Sequence, residues 1–283
     1  MPGRVAIVTD STAYLPIGLA DELGVTVVPL HVVLNGESGV EGIDVTPEDL
    51  ARALSERRTS VTTSRPTPDD FASAYRTVLA DGATGVVSVH LSSELSGTWE
   101  AARVASTEFG PDAVRVVDSR SAAMGLGFAV LAAAEAAEGG STLDEVEAIA
   151  ERTVDRTTTL FYVDTLEHLR RGGRIGTAQA WLGTALAVKP LLHVVDGRIV
   201  PLEKVRTASK AVARLEELAV TAAGESTVDV AVQHLAAAEK AAALAERLRA
   251  RLPRLHRLYA SEVGAVVGAH VGPGLLGVVV VRR

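Results

Sequence analysis

Three groups of residues in this 283-residue chain have the types and spacing to do chemistry. The first is a set of hydroxyls. They occur in Thr9-Asp10-Ser11-Thr12, in Thr62-Thr63-Ser64-Arg65-Pro66, in the run from His90 through Ser92, Ser93 and Ser96 to Gly97, and in Asp118-Ser119. Ser and Thr also cap helices and close turns, so each cluster alone has a structural explanation. Gathered at the ends of strand-like runs, they point to one polar site, because open parallel sheets bind ligands beyond the carboxyl ends of their strands. Ser96 resembles a nucleophile only in part, since Leu95-Ser96-Gly97 lacks the first glycine of a Gly-x-Ser-x-Gly elbow. With His270 as its base, acyl hydrolysis or transfer stays open as the alternative. A serine opening a helix is better suited to hold an anion, because free N–H groups and the helix dipole point the same way.

The second group is Arg170-Arg171-Gly172-Gly173-Arg174, preceded by Asp164-Thr165-Leu166-Glu167-His168. Forked donors and closely approaching backbone suit a phosphate or carboxylate, while a basic loop after a helix has the same composition. Both readings stand. The third is Gly268-Ala269-His270-Val271-Gly272-Pro273-Gly274, which places a histidine on a stiff turn between a helix and the last strand, or beside an ordinary helix cap. The seven histidines form no His-x-x-x-His pair and no His-Glu-x-x-His, so no metal is expected. A Gly-x-x-x-x-Gly-Lys-Ser/Thr loop is absent, and Gly125-Leu126-Gly127 lacks the third glycine of a dinucleotide fingerprint. No cofactor is expected.

The elements that must carry these groups are legible in outline. Arg4–Val8, Val25–Val33, Gly85–Val89 and Val114–Val117 read as apolar strands separated by helical stretches, the pattern of a parallel sheet covered on both faces. Thr46-Pro47-Glu48-Asp49 and Thr67-Pro68-Asp69-Asp70 each place a hydroxyl cap before proline and acids, which predicts helix starts. An Ala-rich helix over 126–138 and another over 143–154 follow. Two extended runs joined at Asp196-Gly197 predict a hairpin, followed by helices near 209–223 and 236–251 and strands near 228–233, 255–260 and 276–281. The expected fold is α/β. An N-terminal three-layer α/β/α domain with a mainly parallel sheet spans 1–152, and a C-terminal two-layer α+β domain with a mixed sheet spans 153–283.

Composition removes several classes of function. No cysteine is present, which excludes disulfides, thiolate nucleophiles and cysteine metal sites. A net charge of −7 with scattered basic residues gives no electrostatic footprint for nucleic acid. No apolar run approaches the roughly 20 residues needed to span a bilayer, and the start of the chain does not read as a signal peptide, so a cytoplasmic protein is expected.

The order and spacing of these motifs over the whole chain resemble the DegV family. The matching pieces are Val8 to Thr12, Thr63 to Pro66, Leu91 to Thr98, Val117 to Ser119, Asp164 to Leu166 with Arg170 to Gly176, Lys204 to Thr207, and His270 to Gly274. The family is similar to fatty-acid-binding subunits of the bacterial fatty acid kinase system. The resemblance implies a long-chain fatty acid as bound ligand, with its tail buried in the first domain and its carboxylate near the cleft that the second domain closes. It implies that Thr63, Ser96 and His270 hold the carboxylate, with Ser64, Arg65 and Gly97 beside them, and that Asp10, Ser11 and Ser119 support the site. Arg174 and Arg206, with Arg170 and Arg171, are implied to face a kinase or its phosphate. The implied partners are an ATP-dependent fatty acid kinase, an acyltransferase and, transiently, a membrane surface, and the chain itself is implied not to be an enzyme. Arg65 stands where the family usually has glutamine, and Trp99 replaces a common tyrosine.

Overall fold

The computed structural model describes residues 3–56, 60–181 and 188–283. In chain order the elements are β1 (Val5–Asp10), α1 (Leu19–Leu23), β2 (Val25–Val28), β3 (His31–Leu34), β4 (Glu37–Val40), α2 (Pro47–Ser55), β5 (Val61–Ser64), α3 (Pro68–Ala80), β6 (Gly85–His90), α4 (Thr98–Ser106), β7 (Val114–Asp118), α5 (Met124–Glu138) and α6 (Leu143–Asp155). They continue with β8 (Thr157–Tyr162), α7 (Glu167–Arg171), β9 (Lys189–Val195), β10 (Arg198–Val205), α8 (Ala208–Ala223), β11 (Val228–His234), α9 (Ala238–Arg251), β12 (Leu255–Glu262), α10 (Ala265–Val271) and β13 (Leu276–Arg282).

The chain forms two units that are not contiguous in sequence: residues 1–31 with 64–155, and residues 32–63 with 156–283. This differs from a single cut after residue 152, because the segment 32–63 leaves the sequence around it and packs into the second unit. The strand expected over Val25–Val33 is divided for the same reason. β2 ends at Val28, Pro29 offers no N–H to a ladder, and the chain resumes as β3 in a different sheet.

In the first unit β2, β1, β6 and β7 form a parallel sheet in that order. Alternation along the strands sends Val8 and Val86 toward α3 and α4, where they bury Phe71, Ala72, Tyr75, Ala101, Ala102 and Ala105. α5 and α6 pack against the sheet as well, and α5 is apolar nearly all round because it is buried nearly all round. Capping boxes at Thr46 with Asp49 and at Thr67 with Asp70 start α2 and α3 where the sequence places them.

The second unit has a six-stranded mixed sheet ordered β10-β9-β8-β13-β11-β12, and β4-β3-β5 form a three-stranded sheet. Only β11 and β12 run parallel in the larger sheet. Val228, Val230 and Val232 of β11 and Leu276, Val278 and Val280 of β13 bury one face against α8 and α9 through Leu215, Ala219, Leu244 and Leu248. The hairpin of β9 and β10 turns at Asp196-Gly197 as its sequence predicts. β8, a strand not expected from the sequence, opens on three threonines, and its apolar run is confined to Leu160, Phe161, Tyr162 and the Val163 that follows.

Candidate functional site

Second-unit groups come together around α10. Thr63, near the end of β5, places its Oγ1 3.0 Å from His270 Nε2, across 207 residues of sequence. His270 lies in the last turn of α10 rather than in the turn after it, and Gly272 ends the helix with φ +76°. Two glycines make room here. A Cβ on Gly172 would strike the His270 ring at Nδ1, and one on Gly272 would strike the His168 ring, so both positions exclude larger residues by contact. His270 Nδ1 is buried and has no hydrogen-bond partner among the described residues. Burial, with a smaller contribution from the Arg174 cation, pushes the His270 imidazole down from its ordinary value to about 4. With its pKa lowered that far, chiefly by burial, the ring is neutral at physiological pH.

Arg174 is half-buried and donates from Nη1 to the Gly172 carbonyl at 2.6 Å. Arg170 and Arg171 are exposed, but both are tied to Glu167, with Arg170 donating at 2.7 and 2.8 Å and Arg171 at 2.8 Å. These contacts, led by Arg170, hold the Glu167 carboxyl at about 2. Arg206 is exposed and makes no hydrogen bond or ion pair with a described residue, one position ahead of the Thr207 cap of α8. Beneath the Gly272-Pro273-Gly274 turn, Asp164 accepts from the Tyr162 hydroxyl and from Lys189 Nζ at 2.9 Å. Burial would raise this carboxyl, and those donors more than reverse it.

In the first unit the hydroxyl loops sit at the carboxyl ends of β1, β6 and β7. Ser96 precedes α4, its Oγ 2.9 Å from Thr98 Oγ1 and accepting from Thr98 N–H at 3.3 Å. Gly97 caps the helix without a side chain, and the Arg65 guanidinium lies so close over it that a Cβ there would collide. Arg65 is exposed and makes no hydrogen bond or ion pair with a described residue, although its charge is felt at Glu100. Ser64 opens the first-unit stretch that carries Arg65, immediately after Thr63. The Ser92–Ser96 turn is fastened from three sides: Leu91 N–H donates to Asp10 Oδ2 at 3.0 Å, Ser92 N–H to the Ser121 carbonyl at 2.8 Å, and Ser93 Oγ to Asp118 Oδ2 at 2.6 Å. Of the residues implied to support the site, Ser11 Oγ accepts from Leu30 N–H at 3.0 Å and Ser119 Oγ donates to the Ser121 carbonyl at 3.2 Å.

Sequence reasoning missed a chain of side chains under these loops. His90 Nδ1 is 3.0 Å from Asp10 Oδ2, Ser88 Oγ is 2.6 Å from His90 Nε2, and Tyr75 donates its hydroxyl to Ser88 at 2.8 Å. Asp10 also accepts from Thr12 N–H at 3.0 Å and from the Thr12 hydroxyl, so it faces donors only and His90 Nδ1 carries a proton. The order Ser–His–Asp is that of a hydrolytic triad, yet Ser88, His90 and Asp10 are each 0% exposed. No substrate reaches Ser88. The signal was present: positions 88 and 90 share one face of β6, and the register sets Asp10 next to the end of that strand.

Among the described residues, no group of three or more His, Cys, Asp or Glu side chains is placed to hold a metal, and no helix is long and apolar enough to cross a membrane. The result is an α/β protein of two units, one with hydroxyl loops along the edge of a parallel sheet and one with a threonine–imidazole pair beside Gly172 and the Arg174 cation. The chain belongs to the DegV family: the family model described as "Uncharacterised protein, DegV family" matches residues 4–283. It is 60% identical over 283 residues to a DegV domain-containing protein of Streptomyces coelicolor, covering all of both chains. Its structure is similar to that of a DegV family protein from Thermus thermophilus described for its fatty acid binding, with TM-score 0.93, 38% identity and coverage of 99% of this chain and 100% of the other. It is also similar to DegV, a fatty acid binding protein from Bacillus subtilis, with TM-score 0.90, 35% identity and 99% of each chain covered.

Proposed function

We propose that this protein is a fatty acid carrier that buries an acyl chain and presents its carboxylate to a separate ATP-dependent kinase. The observation that carries the reading is the pairing of Thr63 with His270, whose ring has one polar partner and a cation beside it. An orphaned N–H costs more than an orphaned ring nitrogen facing a C–H surface, so the proton belongs on Nε2. Nε2–H then donates to Thr63 Oγ1, which turns the threonine proton outward toward a ligand oxygen. A carboxylate brought out of water requires such donors, and Ser96 is assigned to the same ligand by resemblance. Burial of about fifteen methylenes contributes roughly 12 kcal/mol before ordering costs, enough for tight retention.

The chain itself performs no ATP chemistry in this reading. The kinase converts the presented carboxylate to an acyl phosphate, which an acyltransferase consumes, and fatty acid is collected at a membrane surface. We assign the steering of the kinase to Arg206, because Arg170 and Arg171 are paired with Glu167 and Arg174 is half-buried with Nη1 donating to the Gly172 carbonyl. Mass spectrometry of freshly purified, denatured protein tests the carrier directly. A fatty acid at about one equivalent is expected, and Thr63→Val should reduce its retention; an empty parent protein overturns the proposal. Arg206→Ala should keep lipid and lose phosphorylation by the cognate kinase, and undiminished phosphorylation removes Arg206 from the docking role.

A further inference from the structure

α10 has seven residues, and its last turn carries His270. Its N-cap is Gly264, which has no side chain to accept from the first turn. The Val266 N–H is met instead by Glu41 Oε1 at 2.7 Å, from 225 residues away. Glu41 is 7% exposed. Its backbone is fixed in a tight turn in which Asp44 N–H donates to the Val40 carbonyl at 2.9 Å, Gly42 N–H donates to the Val45 carbonyl at 3.0 Å, and Asp44 Oδ2 accepts from Val40 N–H at 2.9 Å. The capped start of α2 follows at once, and Leu50 of α2 packs against Gly268 where a Cβ would not fit. Thr63 closes the series at His270. One excursion of the chain, 32–63, therefore grips α10 at residues 266, 268 and 270.

We propose that Glu41 is a positioning residue for the carboxylate site: by capping α10 from the excursion, it sets the height and rotation at which His270 meets Thr63. The inference rests on the reading of Thr63 and His270 as carboxylate-binding groups. Its physical basis is the shortness of the helix. One residue of slip moves a helical side chain by about 1.5 Å and about 100°, and two turns of ladder offer little resistance once the first turn is uncapped. Either displacement breaks a 3.0 Å hydrogen bond at the far end. The ring is faced by Thr63, Gly172 and Arg174, and none of these fixes the start of the helix.

The test compares Glu41→Ala, which removes the acceptor, with Glu41→Gln, which keeps one, and with Glu41→Ala/Gly264→Ser, which supplies a local cap. The His270 ring is titrated by NMR, and affinity is measured with the fluorescent fatty acid cis-parinaric acid. Glu41→Ala should raise the His270 midpoint from about 4 toward the ordinary histidine value and weaken binding roughly tenfold, the size of one lost cap, while the other two variants stay near the parent. If Glu41→Ala keeps the parental titration and affinity, Glu41 is a stability element only and the inference falls. If Glu41→Ala does not fold, the serine double variant decides: parental values in it support the inference, and altered values overturn it. A parent that binds no fatty acid defeats the carrier proposal instead, and the NMR titration then decides the role of Glu41 by itself.

Discussion

His90 in the first unit and His270 in the second are both buried, and both have a hydroxyl on Nε2, but their surroundings differ in completeness. Around His90 every polar atom of the Tyr75–Ser88–His90–Asp10 chain is answered within the protein, and the ring edge packs on Phe71 with centroids 4.8 Å apart. Around His270 one ring nitrogen has no partner among the described residues, an arginine stands near, and no carboxylate balances it among the groups that shift its titration. A satisfied network of this kind rigidifies a core, whereas a perturbed and incompletely answered group marks a place where something else is to bind. Triad order without access is therefore structure, and a lone imidazole with a cation is the better candidate for function.

The contrast breaks most sharply at Asp10. Asp10→Ala strands the Leu91 and Thr12 N–H groups and His90 Nδ1–H in a dry interior, and denaturant unfolding should show a loss of about 3–5 kcal/mol. A loss below about 1 kcal/mol would mean that the chain is not the rigid element described. Acid gives the next effect. His270 is held near 4 in the folded protein and titrates near 6.5 when unfolded, so between those values the unfolded state binds the extra proton. Stability is expected to fall with decreasing pH across that window by an amount on the order of 3 kcal/mol, and His270→Gln should flatten the slope there. An unchanged slope in the variant would assign the acid sensitivity to other groups. Ser88→Ala, which leaves Tyr75 and His90 Nε2 unanswered, should cost about 1–2 kcal/mol by the same unfolding assay without altering fatty acid retention.

Much of this was legible in the residues. The Thr46 and Thr67 caps, the Asp196-Gly197 hairpin and the valine strands follow from local chemistry and appear where they are expected. Of the candidate site, Thr63 and His270 were legible as residue types but not as the pair they form, and Ser96 is held locally by Thr98. What escaped depends on distance along the chain. Val25–Val33 reads as one strand because apolarity does not reveal that Pro29 ends one sheet and begins the approach to another. Glu41 draws no attention in the sequence because its partner lies 225 residues on, and nothing local to Gly264 says which residue will cap that helix. His90 reads as the start of the hydroxyl-bearing run after the Gly85–Val89 strand, because its acid partner comes from the neighbouring strand.

The interleaved path of the chain has a consequence for synthesis. A ribosome adding about 5–20 residues per second makes the 32–63 stretch and then works for roughly 10–40 s before α10 exists for it to hold. Through that interval Val32 and Leu50, both 0% exposed at the end, have no finished second unit to enter. The parallel sheet waits as well, because β6 and β7 are made after this stretch, so neither unit can close while 32–63 is newly exposed.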